Sequence, residues 1–413
     1  MKKVIVVGGG AAGMMAAATA RERGAEVTLL EKNKRLGKKM LITGKGRCNI
    51  TNAGSIDDII KNIPGNGRFL YSSLNRFSNR DVIDFFHRLG VETKVERGAR
   101  VFPQSNRAMD VVEALKNYLE KIGVRTKYET KVEEIHITEG KLAGVIAHGG
   151  KTFSGESVVI ATGGASYPAT GSTGDGYIIA QKAGHRITPL KPSLVPLETL
   201  EPWVKELQGL SLKNVKVEAT AGEKVLGYEF GEMLFTHFGI SGPVILSLSK
   251  PIADYFETSG HGTVQVHIDL KPALTIEQLD LRIQRDFQKY SRKYLSNAFF
   301  DLLPKSLIPV FVNILPVPKE KFVHQITREE RNKIVKLLKN FTLTITKTRP
   351  IAEAIVTAGG VCLKEINPKT MESKIVPGLY FAGEVLDIDG FTGGYNLQAA
   401  FSTGYTAGFS AAE

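Results

Sequence analysis

The first hydrophobic positions of the chain predict a strand, a helix and a second strand in close succession. Residues 4–7 form an uninterrupted apolar run, which is typical of a strand buried on both faces of a parallel sheet. The alanine-rich stretch 11–20 follows, and alanine is the strongest helix former. Residues 26–30 then predict a second strand that ends at Glu31. This order of elements is the beginning of an α/β unit with a parallel sheet.

Glycines punctuate the turn between the first strand and the helix. Gly8 allows a tight turn, Gly10 allows a pyrophosphate to approach the backbone, and Gly13 allows the helix to pack closely on the strand. The first amides of the helix would point at the phosphates. A carboxylate at Glu31 would accept hydrogen bonds from adenosine ribose hydroxyls and would repel a 2′-phosphate. The pattern predicts a dinucleotide site, and it does not by itself distinguish FAD from NAD.

Two later segments favour a flavin. Residues 156–164 form an apolar strand that ends in Thr162, Gly163 and Gly164, and this turn resembles one that passes close to the dinucleotide in flavoproteins with two dinucleotide folds. Residues 378–382 predict another strand, followed by a glycine-rich loop and an alanine-rich helix. Amides near the start of that helix, at 396–398, would stabilise negative charge on a reduced flavin ring.

The middle of the chain has a different pattern. Strand-like alternation over 215–230 and 262–270 gives way to helix-like, charge-rich stretches over 276–340. We expect a β-rich insertion that carries a small helical part.

Charge and composition add two open questions. Lys and Arg exceed Asp and Glu by 54 to 42, giving a formal charge of +12, so the surface favours polyanions such as RNA, an acidic membrane or a cofactor pyrophosphate. A diffuse basic surface without a dedicated partner is equally compatible. Residues 282–295 interleave Arg and Lys with Phe287, Tyr290 and Tyr294, as an RNA-stacking surface would. An amphipathic helix with buried rings explains the same segment at least as well.

The cysteine count and the lengths of the apolar runs limit where the protein can be located and which metal or disulfide sites it can contain. Only Cys48 and Cys362 occur, too few for a disulfide framework or a zinc site, and we expect no metal. No apolar run approaches the ~20 residues of a membrane span, and the chain enters a strand almost at once, so a cytoplasmic protein without a signal peptide or a membrane partner is expected. The sequence does not indicate an oligomeric state.

Several motifs together resemble one known family. They are GKKMLITGKGRCNITN at 37–52, ATGGASYPATGSTGDGY at 161–177, LKPSLVPL at 190–197, GEMLFTHFGISGPVILSLS at 231–249 and the block after 376. The chain resembles the bacterial flavoproteins labelled NAD(FAD)-utilising dehydrogenases, which include aminoacetone oxidase. Lys45 departs from the small residues usual in that family's loop.

The resemblance implies an α/β fold with a discontinuous, Rossmann-like FAD-binding domain of the glutathione-reductase type. That domain would comprise residues 1–191 and 349–413. An inserted domain over 192–348 would be β-rich at about 192–272 and helical at about 273–340. Because GSTGDG at 171–176 lacks the spacing of a second fingerprint, NADH or NADPH is expected only as a transient reductant.

The same reasoning gives candidate site residues. Those expected to bind FAD are Gly8, Gly10, Ala11, Ala12, Gly13, Glu31, Lys32, Gly44, Arg47, Cys48, Asn49, Val132, Thr162, Gly163, Gly164, Gly383, Glu384, Gly394, Tyr395, Asn396, Leu397 and Gln398. Val132 would hold the adenine through its backbone, and Cys48 is interpreted as a packed thiol. Tyr395, Glu384 and His237 are the candidate catalytic residues, chosen from their positions.

Three functions remain open at this point. The first is an FAD-dependent oxidoreductase that acts on a small molecule in a cavity between the FAD domain and the insertion, with its flavin reduced by a nicotinamide or by the substrate itself. The second is a flavin-dependent RNA-modifying enzyme that reduces a pyrimidine double bond to form dihydrouridine. The third is a flavin-binding protein without turnover.

Overall fold

The computed structural model describes residues 1–259 and 262–413. The chain divides into two compact units. The first unit comprises Met1–Ser193 and Ile351–Glu413, and the second unit comprises Leu194–Pro350. The boundaries expected from sequence, after residues 191 and 348, each lie two residues earlier.

The strands of the described residues follow one another in chain order. They are β1 (Lys3–Val7), β2 (Glu26–Leu30), β3 (Thr51–Asn52), β4 (Thr93–Glu96), β5 (Arg100–Pro103), β6 (Arg125–Lys127), β7 (Val132–Thr138), β8 (Lys141–Ala147), β9 (Lys151–Ser154), β10 (Ser157–Ile160), β11 (Ile187–Ser193), β12 (Leu197–Thr199), β13 (Ser211–Ala221), β14 (Lys224–Phe235), β15 (Gly239–Ser241), β16 (Val264–Asp269), β17 (Phe341–Thr348), β18 (Val356–Val361) and β19 (Leu379–Phe381).

The α-helices follow the same order. They are α1 (Ala11–Glu22), α2 (Ile56–Lys61), α3 (Tyr71–Arg76), α4 (Asn79–Arg88), α5 (Ala108–Lys121), α6 (Asp175–Lys182), α7 (Pro243–Ser259), α8 (Ile276–Lys289), α9 (Leu307–Ile314), α10 (Arg328–Lys339) and α11 (Tyr395–Ala412).

A five-stranded parallel sheet forms the centre of the first unit, in the order β19-β10-β1-β2-β6. Residues 4–7 of β1 pair with β2 on one side and β10 on the other, and all four are buried. This arrangement explains why the strand is an unbroken apolar run. Parallel strands end at one edge of a sheet, so the turns after β1, β10 and β19 meet there.

Small residues let α1 and α11 approach each other closely. A Cβ atom on Gly404 would lie 2.4 Å from the Ala12 carbonyl oxygen, and one on Gly408 would lie 2.3 Å from the Ala16 carbonyl oxygen. Any larger residue at either glycine would therefore separate the helices. The C-terminal helix is in this way built against the N-terminal one, which makes the first unit a single body despite its interruption.

Three smaller sheets complete the first unit. Two are antiparallel and three-stranded, β3-β5-β4 and β7-β8-β9, and the third pairs β11 with β18. The GSTGDG segment leads into α6, so this loop does have a helix after it, although the sequence predicted none there.

The second unit is a closed antiparallel barrel in the order β12-β15-β14-β13-β16-β17. Its interior is apolar, with Val217, Val266 and Leu343 fully buried. The alternation over 215–230 belongs to two strands, β13 and β14, because the chain turns between Ala221 and Lys224. The sequence indicated the three helices α8, α9 and α10 only as one helix-like stretch, and it missed α7, which lies inside the β-rich part.

Two features are absent from the described ranges 1–259 and 262–413. None of their helices combines the length and apolar character needed to cross a bilayer. Nor do three or more of their His, Cys, Asp and Glu side chains converge in a way that could hold a metal ion.

Candidate functional site

The glycine-rich turn after β1 has the geometry of a phosphate-binding turn. Gly8 has φ +103°, and a Cβ there would lie 2.5 Å from the Ala161 carbonyl oxygen. A Cβ on Gly13 would lie 1.8 Å from the Gly8 carbonyl oxygen. At Gly10, in contrast, no heavy atom of the described chain lies within 4 Å of the Cβ position. The turn is therefore closed on the protein side and open at Gly10, where a pyrophosphate could lie.

The N-terminus of α1 faces this open space without a cap from the protein. Its N-cap is Gly10, which has no side chain to accept the first amide hydrogens, and no acidic residue stands in the first turn. The amides of Ala11 and Ala12 and the positive end of the helix dipole are thus directed at a ligand position. This arrangement suits an anion such as a pyrophosphate.

Glu31 lies at the end of β2 and is only 7% exposed. Its Oε2 accepts a hydrogen bond from the Gly9 amide at 2.7 Å, and its Oε1 accepts one from the Asn33 amide at 2.7 Å. The Glu31 backbone carbonyl accepts from the Thr130 amide at 2.9 Å, which brings the start of β7, with Val132, beside it. Sequence reasoning missed Gly9 and Asn33, although Gly9 stands inside the glycine run.

Lys32 is tied to the loop that leads into α6. Its Nζ forms an ion pair with Asp175 and donates a hydrogen bond to the Thr173 hydroxyl. Burial has the largest single effect on Asp175 and opposes its ionisation, but the hydrogen bond and charge of Lys32, with smaller contributions from Thr173 and Lys131, together lower the pKa of that carboxyl. Lys32 thus joins β2 to the loop, and its assignment to the cofactor stays a prediction.

The turn after β10 lies against the turn after β19. A Cβ on Gly164 would meet the Thr357 hydroxyl oxygen at 2.4 Å and Glu384 Oε1 at 2.9 Å, so only glycine fits. Gly163 has φ +75°, which also favours glycine. The buried Thr162 Oγ1 has no hydrogen-bond partner within the described part of the chain, and it lies against α6, where a Cβ on Gly176 would be 2.0 Å from it.

Glu384 is the centre of a polar cluster behind these turns. Its Oε2 lies 2.8 Å from Lys39 Nζ, while Oε1 accepts from the Ser166 hydroxyl at 3.0 Å and from the Thr357 amide at 2.9 Å. An ion-paired carboxylate accepts hydrogen bonds and has no proton to give. The arrangement therefore favours a binding role for Glu384 over the proton-donating role considered from sequence.

Lys39, Ser166 and Thr357 were not among the predicted site residues. Lys39 stands in the 37–52 motif, so its segment was noticed but its partner was not. These residues meet through contacts between distant parts of the sequence, which no local pattern reveals.

The loop before α11 presents a second helix N-terminus. Gly394, the N-cap, has φ +98°, and a Cβ there would lie 2.3 Å from the Thr51 carbonyl oxygen. Among described side chains, none caps this helix. Gly383 begins the same region, with φ +75° and a Cβ position 2.8 Å from Ala12 Cβ. The backbone amides at the start of α11, including that of Leu397, can thus serve a ligand.

The side chains of Asn396 and Gln398 form hydrogen bonds with other groups of the protein. Asn396 accepts from the Gly390 amide at 2.8 Å and donates to the Gly390 carbonyl at 2.7 Å. Gln398 is fully buried, with its Nε2 donating to the Ser402 hydroxyl at 2.8 Å and its Oε1 accepting from Thr51. The Gln398 backbone amide is also in use, since it donates to the Gly394 carbonyl at 3.0 Å, whereas the Asn396 amide lies in the first turn, where helix amides have no partner within the helix.

Tyr395 is 9% exposed and its ring lies against Gly393, where a Cβ would be 2.5 Å from a ring carbon. Burial, and secondly the charge of Asp58, raises the pKa of the Tyr395 phenol, which keeps it protonated. The group can therefore hold a proton at its Oη.

The loop over 44–49 reaches the same region through Asn49. Gly44 has φ +57°, with its Cβ position 3.0 Å from the Asn49 amide nitrogen. In the amide orientation that satisfies its partners, Asn49 accepts from the Gly394 amide at 2.9 Å. Cys48 is fully buried, and burial raises the pKa of its thiol to about 12, as a packed thiol requires.

Arg47 points elsewhere in this structure. Its guanidinium lies 4.0 Å from the centre of the Phe102 ring and 2.9 Å from a Glu96 carboxylate oxygen. A phosphate or flavin contact for Arg47 stays a prediction. His237 belongs to the second unit, where it is exposed in the turn between β14 and β15, with its ring centre 4.9 Å from that of Phe238.

The arrangement fits FAD. One uncapped helix N-terminus adjoins the open space at Gly10, a buried carboxylate stands where a ribose would lie, and a second uncapped helix N-terminus follows the turn after β19. That second terminus favours a ring that becomes anionic, as a reduced flavin does, and disfavours the cationic ring of NAD.

Comparisons with known proteins agree with this fit. The family model described as HI0933-like protein Rossmann domain matches residues 2–410. A 3-dehydro-bile acid delta(4,6)-reductase of Clostridium scindens is 33% identical over 96% of this chain and 95% of its own. A ribosomal RNA dihydrouridine synthase of Haemophilus influenzae is 32% identical over 94% of this chain and 92% of its own.

The solved structures agree in fold. A 3-ketosteroid delta1-dehydrogenase from Sterolibacterium denitrificans superposes with a TM-score of 0.54 at 13% identity, over the full length of both chains. At that identity the likeness concerns the fold alone.

Proposed function

This chain belongs to the HI0933-like Rossmann family and is an FAD-dependent oxidoreductase, and from that premise we propose that it reduces a carbon–carbon double bond conjugated with a carbonyl group. The reactions named for the two curated relatives, a delta(4,6)-reductase and a dihydrouridine synthase, both add hydrogen to such a bond. The observation that carries the proposal is the uncapped N-terminus of α11, because it favours the anionic, reduced form of the flavin.

Bound FAD supplies the hydride once it has been reduced. The protein's own residues bind the cofactor and orient it. The amides of Ala11 and Ala12 would hold the pyrophosphate beside Gly10, and Glu31 would accept hydrogen bonds from the ribose hydroxyls. Glu384, held by Lys39, would accept hydrogen bonds from the chain that links the phosphates to the ring.

Tyr395 is the proposed proton donor. Reduction of a conjugated double bond adds a hydride to one carbon and a proton to the other, so an acid must stand near the ring. The raised pKa keeps the phenol protonated at neutral pH, and the residue opens the helix whose amides face the flavin. NADH or NADPH is the proposed source of electrons, bound transiently.

A small conjugated ketone is the first candidate substrate. The relative from Clostridium scindens is named for a 3-dehydro-bile acid. Bile acids are steroids, and the 3-dehydro form carries a carbonyl group at position 3. Amine oxidation of the aminoacetone-oxidase kind, which the motif resemblance implied, is a weaker candidate because both curated relatives are named for reductions.

A uracil in ribosomal RNA is the second candidate substrate. The specific observation that favours it is the formal charge of +12, which attracts a polyanionic substrate and which binding of a steroid does not require. The Haemophilus influenzae relative is named for that reaction and spans almost the whole chain.

The test begins with the flavin-loaded protein, reduced without oxygen by NADH or NADPH. A 4,6-dien-3-one steroid is added to one sample and a ribosomal RNA transcript to another, and the return of flavin absorbance near about 450 nm is followed. Reoxidation together with a reduced steroid or with dihydrouridine supports the reductase and identifies the substrate class. If neither substrate reoxidises the flavin, the proposal is wrong, and a flavin-binding protein without such turnover becomes the better interpretation.

A matched pair of variants tests the proton donor. We expect Tyr395→Phe to keep FAD and its rate of reduction by the nicotinamide but to slow transfer to the substrate by about 10²-fold or more. Tyr405→Phe removes a hydroxyl from the same helix and should leave both steps unchanged. Equal rates in the two variants would exclude Tyr395 as the donor.

A further inference from the structure

Two segments of the second unit pair with each other and expose aromatic side chains. Tyr294 and Phe322 form an isolated antiparallel bridge, and the Val323 amide donates to the Lys293 carbonyl at 3.0 Å. The backbone therefore fixes the two rings side by side. This pairing lies outside the barrel, in the helical part of the unit.

Three rings form a continuous stack at this bridge. The ring centres of Tyr294 and Phe322 are 4.7 Å apart at 29°, and those of Phe322 and His324 are 5.6 Å apart at 23°. Tyr294 is 45% exposed and Phe322 36% exposed, and His324 is also exposed. We call these three residues the aromatic ladder. Its outer ring faces, on Tyr294 and His324, have the geometry to continue the stack with a further flat ring.

The residues beside the ladder are mainly cationic. Arg292, Lys293 and Lys319 are exposed, and none forms an ion pair with a carboxylate of the described ranges. Lys321 differs, since it is held 2.7 Å from Glu330. Glu320 is the acidic neighbour. Three unpaired cations beside a stack of exposed rings complement a polyanion with flat bases.

The ladder is not the surface that the sequence pattern of 282–295 suggested. Phe287 is only 8% exposed and packs in the core of the unit. The Tyr290 hydroxyl donates to Asp301 at 2.9 Å, beside an ion pair between Lys289 and Asp301. Of the three aromatic residues in that segment, Tyr294 is the one available for stacking, and its stacking partners come from a different segment.

We propose that the aromatic ladder is a docking site for single-stranded RNA, an inference that rests on the RNA candidate of the proposed function. A base stacks on an outer ring of the ladder, and the flanking phosphates lie against Arg292, Lys293 and Lys319. Rings that are stacked on one another present flat faces, which suit bases. An acidic membrane is typically bound by an amphipathic helix that buries a broad apolar face, and the ladder is not such a face.

The experiment compares two double variants of the full-length, flavin-loaded protein. Tyr294→Leu with Phe322→Leu removes the flat faces and keeps apolar bulk at the bridge. Tyr228→Leu with Phe230→Leu is the matched control, since these residues are 70% and 52% exposed on β14 of the same unit. Binding of a labelled ~12-nucleotide oligouridylate is measured by fluorescence anisotropy at low and moderate salt.

We expect the ladder variant to bind the oligonucleotide about tenfold more weakly, while the control binds like the wild type. Replacing Arg292 and Lys293 by Gln should flatten the salt dependence of binding. Both leucine variants should retain the wild-type melting temperature and wild-type reoxidation by the dienone steroid, which shows that the fold and the reductase site are intact.

Three results would overturn the proposal. The ladder variant could bind RNA like the wild type while the protein forms dihydrouridine. This result would exclude the ladder as the docking site and would still support the RNA function. Equal weakening by ladder and control variants would show that binding is diffuse. A wild-type protein that reduces the steroid but binds no oligonucleotide, or binds only phosphatidylserine vesicles, would exclude RNA as the partner while leaving the reductase proposal in place.

Discussion

The N-termini of α1 and α8 differ in what accepts hydrogen bonds from their first backbone amides. Every helix begins with backbone amides that have no partner within the helix. At α8 the Thr275 hydroxyl accepts from the Gln278 amide at 3.2 Å, and the Gln278 side chain accepts from the Thr275 amide at 3.0 Å. At α1 the corresponding residue is Gly10, which offers no side chain. The first amides of α8 are hydrogen-bonded by side chains of the same helix end, whereas the first amides of α1 remain open to a ligand.

The difference sets two helices of the first unit apart from the helices that complete themselves. Capping boxes close α10 at Thr327 in the second unit, and also α2 at Ser55 and α4 at Ser78 in the first unit. In the first unit, α1 and α11 both begin at glycines. We infer that glycine at these N-caps is retained for access to the cofactor, at a cost in intrinsic helix stability.

The largest expected effect comes from Gly13→Val. A Cβ at this position would lie 1.8 Å from the Gly8 carbonyl oxygen, so α1 would be forced away from β1. We expect a loss of more than about 3 kcal/mol in the free energy of unfolding and no retained flavin. Urea unfolding and the absorbance of the purified protein measure both. A stable, yellow variant would contradict the closed geometry of the turn.

Gly10→Ala should separate cofactor binding from folding. Gly10 has φ −84°, which alanine adopts readily, and no atom of the described chain would contact its Cβ within 4 Å. We expect the apoprotein to unfold close to the wild-type urea concentration, because the lower entropy of the unfolded chain offsets the poorer N-cap that alanine makes. The methyl group would occupy the space proposed for the pyrophosphate, so FAD affinity, titrated by fluorescence quenching, should fall by about 100-fold. Unchanged affinity would place the pyrophosphate elsewhere.

Glu31→Gln should have a smaller effect on the same equilibrium. Glutamine has one acceptor oxygen in place of two, and it lacks the charge that strengthens hydrogen bonds to ribose hydroxyls. We expect FAD to bind about tenfold more weakly. Glu129→Gln, at a carboxylate 65% exposed, is the matched control. An equal change in both variants would mean that overall charge, and not the position of Glu31, is responsible.

Thr275→Ala should produce the smallest change and should spare the cofactor. Loss of an N-cap hydroxyl costs about 1 kcal/mol of stability. Thermal unfolding should show this loss, while FAD affinity should match that of the wild type. Any weakening of FAD binding in this variant would contradict the division of tasks between the two helix ends.

The first turn of the chain could be predicted because its chemistry is local. Gly8, Gly10, Gly13 and Glu31 lie within one strand-helix-strand unit, and each glycine has a steric reason that sequence order alone reveals. The class of the fold followed from the same motif and from the later strand-and-glycine turns, and the structure confirms it. The closed barrel was expected only as a β-rich part.

The remaining site residues could not be found in the same way. Lys39 and Glu384 are separated by 345 positions, and their ion pair exists only because the turns after β10 and β19 meet. The Tyr294–Phe322 stack likewise depends on a bridge between segments with no shared motif. Asn396 and Gln398 were predicted as cofactor contacts through helix-terminal amides, and this stays a prediction. No local pattern revealed that the Asn396 side chain bonds to Gly390 in the preceding loop and the Gln398 side chain to Thr51 of β3.

The interruption of the first unit sets an order for its assembly during synthesis. The barrel strands β12 to β17 are contiguous in the chain, so the barrel can close as soon as residue 348 has left the ribosome. The central sheet cannot, because β19 pairs with β10 and α11 packs on α1. Until those last segments are made, one edge of β10 and the alanine face of α1 stay uncovered. The nascent chain is therefore most vulnerable to aggregation just before β19 and α11 leave the ribosome, when FAD has only half of its site to bind.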